Sequence, residues 1–136
     1  MGQQQLLLLV IAIVLVGIAV VAGLQIMQKY YRHDEGDGLL DRGLSIATHA
    51  VYWKTKNDAF AGGNQSYEEL GTIGIEGLGV DPTTIRGRYA FTSATQSRLE
   101  ITGVSDRYPD VGIRVFVDNY SIDSSYVRYD GSLTLD

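Results

Sequence analysis

Residues Leu6 to Leu24, LLLLVIAIVLVGIAVVAGL, are nineteen consecutive uncharged and almost wholly apolar residues. As a helix rising 1.5 Å per residue, this run spans roughly 28 Å, close to the ~30 Å hydrocarbon core of a bilayer. It is therefore long enough to cross a membrane. A secretory signal peptide has a basic n-region, a shorter apolar stretch and a small-residue cleavage site, whereas Met1-Gly-Gln-Gln-Gln5 holds no Lys or Arg, so removal of the whole run is not expected.

Every charged side chain lies at Lys29 or beyond, so the mean hydropathy of +0.01 averages an oily segment with an ordinary polar domain. The chain divides by composition into a short N-terminus (1–5), the apolar helix (6–24) and a soluble region (25–136). About 110 residues suffice for one small domain with a modest core. The formal net charge of −5 and the lack of any long basic patch argue against nucleic acid as a partner. There is no cysteine, hence no disulfide and no Cys-ligated metal.

Beyond the apolar run, Ile26, Met27, Tyr30 and Tyr31 keep helical spacing, and the tyrosines with Lys29 and Arg32 suit a membrane interface. Asp34-Glu-Gly-Asp-Gly38 is poor in helix formers and predicts a break near Gly36 to Gly38. Leu40, Leu44, Ala47 and Val51, widened by Leu39, Ile46 and Ala50, then predict an amphipathic helix to about Lys54, with Trp53 at its end in a core or subunit contact.

Asn57 to Pro82 reads as a long Gly-rich connector. Strands are predicted at Gly87 to Thr92, at Arg98 to Thr102, where Leu99 and Ile101 share a face, and at Val111 to Val117, where Val111, Ile113, Val115 and Val117 do. A last hairpin, Tyr126 to Tyr129 with Leu133 to Leu135, is expected around Asp130-Gly131, with turns at 105–110 and 118–125. The predicted fold is α+β: a long N-terminal helix, membrane-embedded in its first half and amphipathic in its second, packed on a small antiparallel meander of four or five strands.

In this order of elements the chain resembles type IV pilins and pseudopilins. The start, Met1-Gly-Gln-Gln-Gln-Leu-Leu-Leu-Leu-Val10, is similar to short prepilin-like leaders cut after a Gly, here Gly2-Gln3. Phe60-Ala-Gly-Gly-Asn-Gln-Ser-Tyr67, Gly87-Arg-Tyr89 and Leu99-Glu-Ile-Thr-Gly103 look like the Gly-rich loop and first strands of short bacterial pilin-like proteins with a Gly-Gln-Gln-Gln start. The resemblance implies a structural filament subunit processed by a prepilin peptidase and N-methylated. Its partners would be copies of itself or other pilins, with membrane lipid around it before assembly and a cell-surface filament afterwards. Leu6, Leu7, Val10, Ile13, Val16, Gly17, Val20, Gly23 and Leu24 would form first the membrane anchor and then the filament core.

The chain departs from that pattern at Leu7, the fifth residue after Gly2-Gln3, where family members usually carry a Glu thought to pair with a neighbour's amino terminus. The resemblance then fits a minor subunit, with the Gln3-Gln4-Gln5 amides free to hydrogen-bond between helices. Orientation favours an alternative: Lys29 and Arg32 follow the span and no charge precedes it, which by the positive-inside rule fits an uncleaved single-pass membrane-anchored interaction or sensor domain.

Catalysis is not expected, nor a cofactor or small-molecule substrate. His33 and His49 belong to no HExxH or triad pattern, and Gly74-Ile-Glu-Gly-Leu-Gly79 is not a nucleotide-binding motif. The acidic groups Asp34, Glu35 and Asp37, or Asp118, Asn119, Asp123 and Asp130, offer oxygen ligands for calcium but match no EF-hand; solvated turns are the expected reading. Asn64-Gln-Ser66 and Asn119-Tyr-Ser121 are glycosylation acceptor patterns of low specificity. The nine tyrosines suit contact surfaces.

Overall fold

A computed structural model describes residues 2–56, 62 and 64–135. The chain divides into two units, Met1–His33 and Asp34–Asp136. Composition changes at Leu24, but the structural division falls at His33, because packing against the sheet starts only beyond that residue.

Helix α1 runs over Gly2–Thr55. The expected break is absent: residues 34–38 are helical throughout. Gly36 and Gly38 serve close approach here instead of ending the helix. A Cβ on Gly36 would sit 2.9 Å from Val127 Cγ1, and one on Gly38 would sit 2.7 Å from the Arg86 guanidinium. Tertiary packing thus outweighs the propensity cost of about 1 kcal/mol per glycine.

In the second unit, α1 covers an antiparallel sheet of β1 (Gly87–Ala94), β2 (Arg98–Ser105), β3 (Gly112–Asp118) and β4 (Ser121–Arg128), in that spatial order. The buried stripe of α1 is Leu39, Gly43, Ile46, Ala47, Ala50 and Trp53, while Leu40, Leu44 and Val51 are half-buried at its margin. The expected stripe is therefore turned by about one residue, because Gly43 lies at its centre. A Cβ there would meet Ile113 Cδ1 at 2.7 Å, and this bare position lets the helix sink onto the sheet.

Facing that stripe are Tyr89, Leu99, Ile101, Ile113, Val115 and Val117. Each large apolar side chain buried in this way contributes roughly 1.5–3 kcal/mol. The reverse face carries a polar lattice: Arg114 Nε lies 3.1 Å from Glu100 Oε1, and Thr92 Oγ1 donates to Glu100 at 2.7 Å.

The last hairpin differs from expectation. Asp118 pairs with Ser121, leaving Asn119 and Tyr120 as a two-residue turn with Asn119 at φ 55°, so 121–125 is strand where a turn was expected. A bulge opposite Phe116 and Val117 accommodates Asp123. Leu133 to Leu135 forms no strand; Leu133 is buried against Gly112. Between α1 and β1, α2 (Leu70–Ile73) and a 3-10 turn (Ile75–Leu78) lie within the expected connector. Of Phe60 to Tyr67, residues 60, 61 and 63 lie outside the described set, as does Met1.

Candidate assembly surface

The apolar run lies on α1 with its side chains uncovered. Leu6, Leu7, Val10, Ile13, Val16, Val20 and Leu24 are all exposed, Leu7 at 61 %. The helix holds a window of mean hydropathy 3.2 none of which is buried, and it is long and apolar enough to cross a membrane. Continuous apolar exposure of this extent is the kind of surface that membrane and protein contacts use.

Gly2 and Gln3 lie in the first turn of this helix, which has no acidic residue. Nothing lies within 4 Å of a Cβ built on Gly17 or Gly23. At Gly17 the surface forms an open concavity of about 560 Å³, lined by Val14, Ile18, Val21, Ala22 and Gln25. A second helix can approach closely at such a small residue.

Two clusters that the sequence did not bring together tie α1 to the sheet of the second unit. Glu35 is buried; Ser105 Oγ donates to its Oε1 at 2.8 Å and Arg86 Nη1 to its Oε2 at 3.2 Å. Tyr89 Oη donates to the Leu39 carbonyl at 3.0 Å. At the far end of this stretch Lys54 is buried with its Nζ 4.4 Å from the Tyr67 ring centre and 4.8 Å from that of Tyr120. Tyr67 Oη donates to the Asn119 carbonyl. Each such cation–ring contact contributes about 0.5–2 kcal/mol. The recoverable signal for Glu35 was its place four residues before Leu39 on the buried stripe; the neighbouring glycines disguised it as a helix break.

Asp118 and Asp123 line one cleft of about 200 Å³, but Asp118 Oδ1 faces Arg98 Nε at 3.9 Å and Asn119 offers its carbonyl to Tyr67. Among the described residues no group of three or more His, Cys, Asp or Glu is placed to hold a metal ion. His49 Nδ1 lies 2.7 Å from the Ser45 carbonyl, within its own helix. Asn64 and Asn119 both have left-handed backbone, at φ 49° and 55°. Comparison with protein-family models, curated proteins and solved structures finds no match to this chain.

Proposed function

We propose that this chain is a structural subunit of a type IV pilus or a pilus-like, secretion-type filament, assembled through its N-terminal helix. The observation that carries the reading is the apolar run Leu6 to Leu24, whose large side chains are all exposed, on a helix that also contributes the core stripe of a small α+β unit. Lipid covers the run before assembly. Once the helix leaves the bilayer, neighbouring helices must replace that lipid, at ~25 cal/mol per Å² of apolar surface kept from water.

In this reading a prepilin peptidase cuts Gly2-Gln3, and the subunit passes from the cytoplasmic membrane to a cell-surface filament. Gly17 and Gly23 permit close helix contact. Leu7 stands where a pairing carboxylate is usual, which fits a minor subunit better than one needing that charge for register. No reaction is assigned to the chain.

The second reading, an uncleaved membrane-anchored interaction domain, draws on Lys29 and Arg32 directly after the span. Val16→Asp tests the role of the helix. A carboxylate at mid-membrane costs about 2.5–3.5 kcal/mol or more. The variant is expected to lose membrane retention or assembly, and normal filaments from it would overturn the proposal.

A further inference from the structure

The chain contains three asparagines, and two of them have a serine two positions on, in Asn64-Gln-Ser66 and Asn119-Tyr-Ser121. With nine serines and nine threonines in 136 residues, chance places a hydroxyl there for about one asparagine in eight, so two of three is an excess. The motifs are 55 positions apart in sequence.

The fold brings both to one end of the second unit, where α1 finishes at Thr55. The Asn64 N–H donates to the Lys56 carbonyl at 3.0 Å and the Gln65 N–H to the Lys54 carbonyl at 2.9 Å, tying the first motif to the end of the helix. Tyr67 Oη donates to the Asn119 carbonyl, and Lys54 Nζ lies over the rings of both Tyr67 and Tyr120, tying the second motif to the same place. Both asparagines are exposed, with left-handed backbone. That conformation favours asparagine at a turn, but it asks nothing of the residue two positions on. Nor do the two serines hold the core together. Ser66 Oγ accepts from the Glu68 N–H at 3.2 Å and Ser121 Oγ donates to the Asp118 carbonyl at 3.4 Å, each within its own turn.

A second observation points to a cover over this end. Tyr52, in the last turn of α1, is 64 % exposed; Tyr120, inside the second motif, is 51 % exposed and Ile122, just after it, 40 %. Uncovered apolar groups gathered in one region mark a surface that something else covers. Saccharide rings present C–H faces that pack on tyrosine, while their hydroxyls keep the outside wet. We propose that Asn64 and Asn119 carry N-linked saccharides that cover Tyr52, Tyr120 and Ile122. In the transfer, the asparagine amide nitrogen loses a proton and bonds to the anomeric carbon of a polyprenyl-phosphate-linked saccharide. The bond from that carbon to the phosphate oxygen breaks, and the lipid phosphate leaves with the electron pair. The inference rests on the export that the filament reading requires, though not on assembly.

Cleavage after Lys56, Arg86, Arg114 and Arg128 puts the motifs in separate peptides, 57–86 and 115–128. Native protein from membranes and from material sheared off cells is cut in this way and the peptides are weighed and fragmented. Each peptide is expected to carry saccharide mass on its motif asparagine, while Asn57, with Ala59 two positions on, stays bare as an internal control. Ser66→Ala and Ser121→Ala, made in the native cells, should each strip the saccharide from the asparagine of the same motif, and Ser66→Thr and Ser121→Thr should keep it. A purely structural role for the turns produces no such difference, and saccharide retained in the alanine variants overturns the assignment. Bare peptides from sheared protein overturn the inference and leave the filament reading standing. Modified peptides from protein that is never sheared off support the saccharides and count against the filament; bare peptides from such protein count against both. Saccharide at one asparagine alone overturns the other site.

Discussion

Arg86 reaches across the bare face of Gly38 to hold the buried Glu35 carboxylate at 3.2 Å, joining residues 51 apart in sequence. Ser105 donates to the other oxygen of that carboxylate. The acid that looks like part of a helix break is thus the point at which α1 is fastened to β2 and to the entrance of β1.

Removing that carboxylate takes away the closer acceptor of the Ser105 hydroxyl, leaving it only the Arg86 carbonyl at 3.3 Å, and deprives Arg86 of its ion-pair partner. Glu35→Ala should destabilise the second unit by about 1–3 kcal/mol. Glu35→Gln, which keeps an acceptor for Ser105, should cost less, since Arg86 is half-exposed and its charge is screened by solvent. Trp53 is the single tryptophan and is buried, so urea unfolding of the intact chain in detergent, followed by its fluorescence, measures both. Equal stability for wild type and Glu35→Ala would contradict the fastening role.

Glycines in the two halves of α1 should respond oppositely to alanine. Gly43→Ala forces a methyl to within 2.7 Å of Ile113 Cδ1 in a fully buried site, and should cost about 1–3 kcal/mol in the same assay. Gly17→Ala meets nothing within 4 Å and should leave Trp53 unfolding unchanged. If helices pack closely at Gly17, the same substitution lowers filament yield while the fold stays intact.

High pH should unfold the protein through its buried phenols. Burial pushes Tyr67 up to about 12, with the charges of Tyr120 and Asp118 adding to the shift. Tyr89 is likewise pushed up to about 12 by burial, against the opposing pull of Arg42 and Arg86. The fold favours the neutral phenols, so their contribution is complete below the ordinary tyrosine value near 10 and is lost as pH rises through about 12. Stability measured from pH 9 to 12 should fall steeply above 10, and less steeply in Tyr67→Phe and Tyr89→Phe. A flat profile across that window would contradict the assigned burial.

The strands were readable because Leu99 with Ile101, and Ile113 with Val115 and Val117, alternate strictly against one covered face. β4 was misplaced because Ser121 to Ser125 is an exposed edge with no apolar alternation, and its register comes from the Asn119 turn and a bulge that only the pairing reveals. The helix through Gly36 and Gly38 was hidden for a different reason. Local propensity counts glycine as a breaker, while the close approach that favours it involves Val127 and Arg86, far away in sequence. At the candidate assembly surface, the apolar run was fully legible from composition. The Glu35–Arg86–Ser105 cluster of the second unit was not, because it joins residues 51 and 70 positions apart.

The filament claim is tested most directly by intact mass and N-terminal sequencing of the native protein from membranes and from material sheared off the cell surface. The sheared fraction should contain a chain that begins at Gln3, with an N-methyl group. A chain confined to membranes and still starting at Met1 or Gly2 would contradict it and favour the anchored interaction domain.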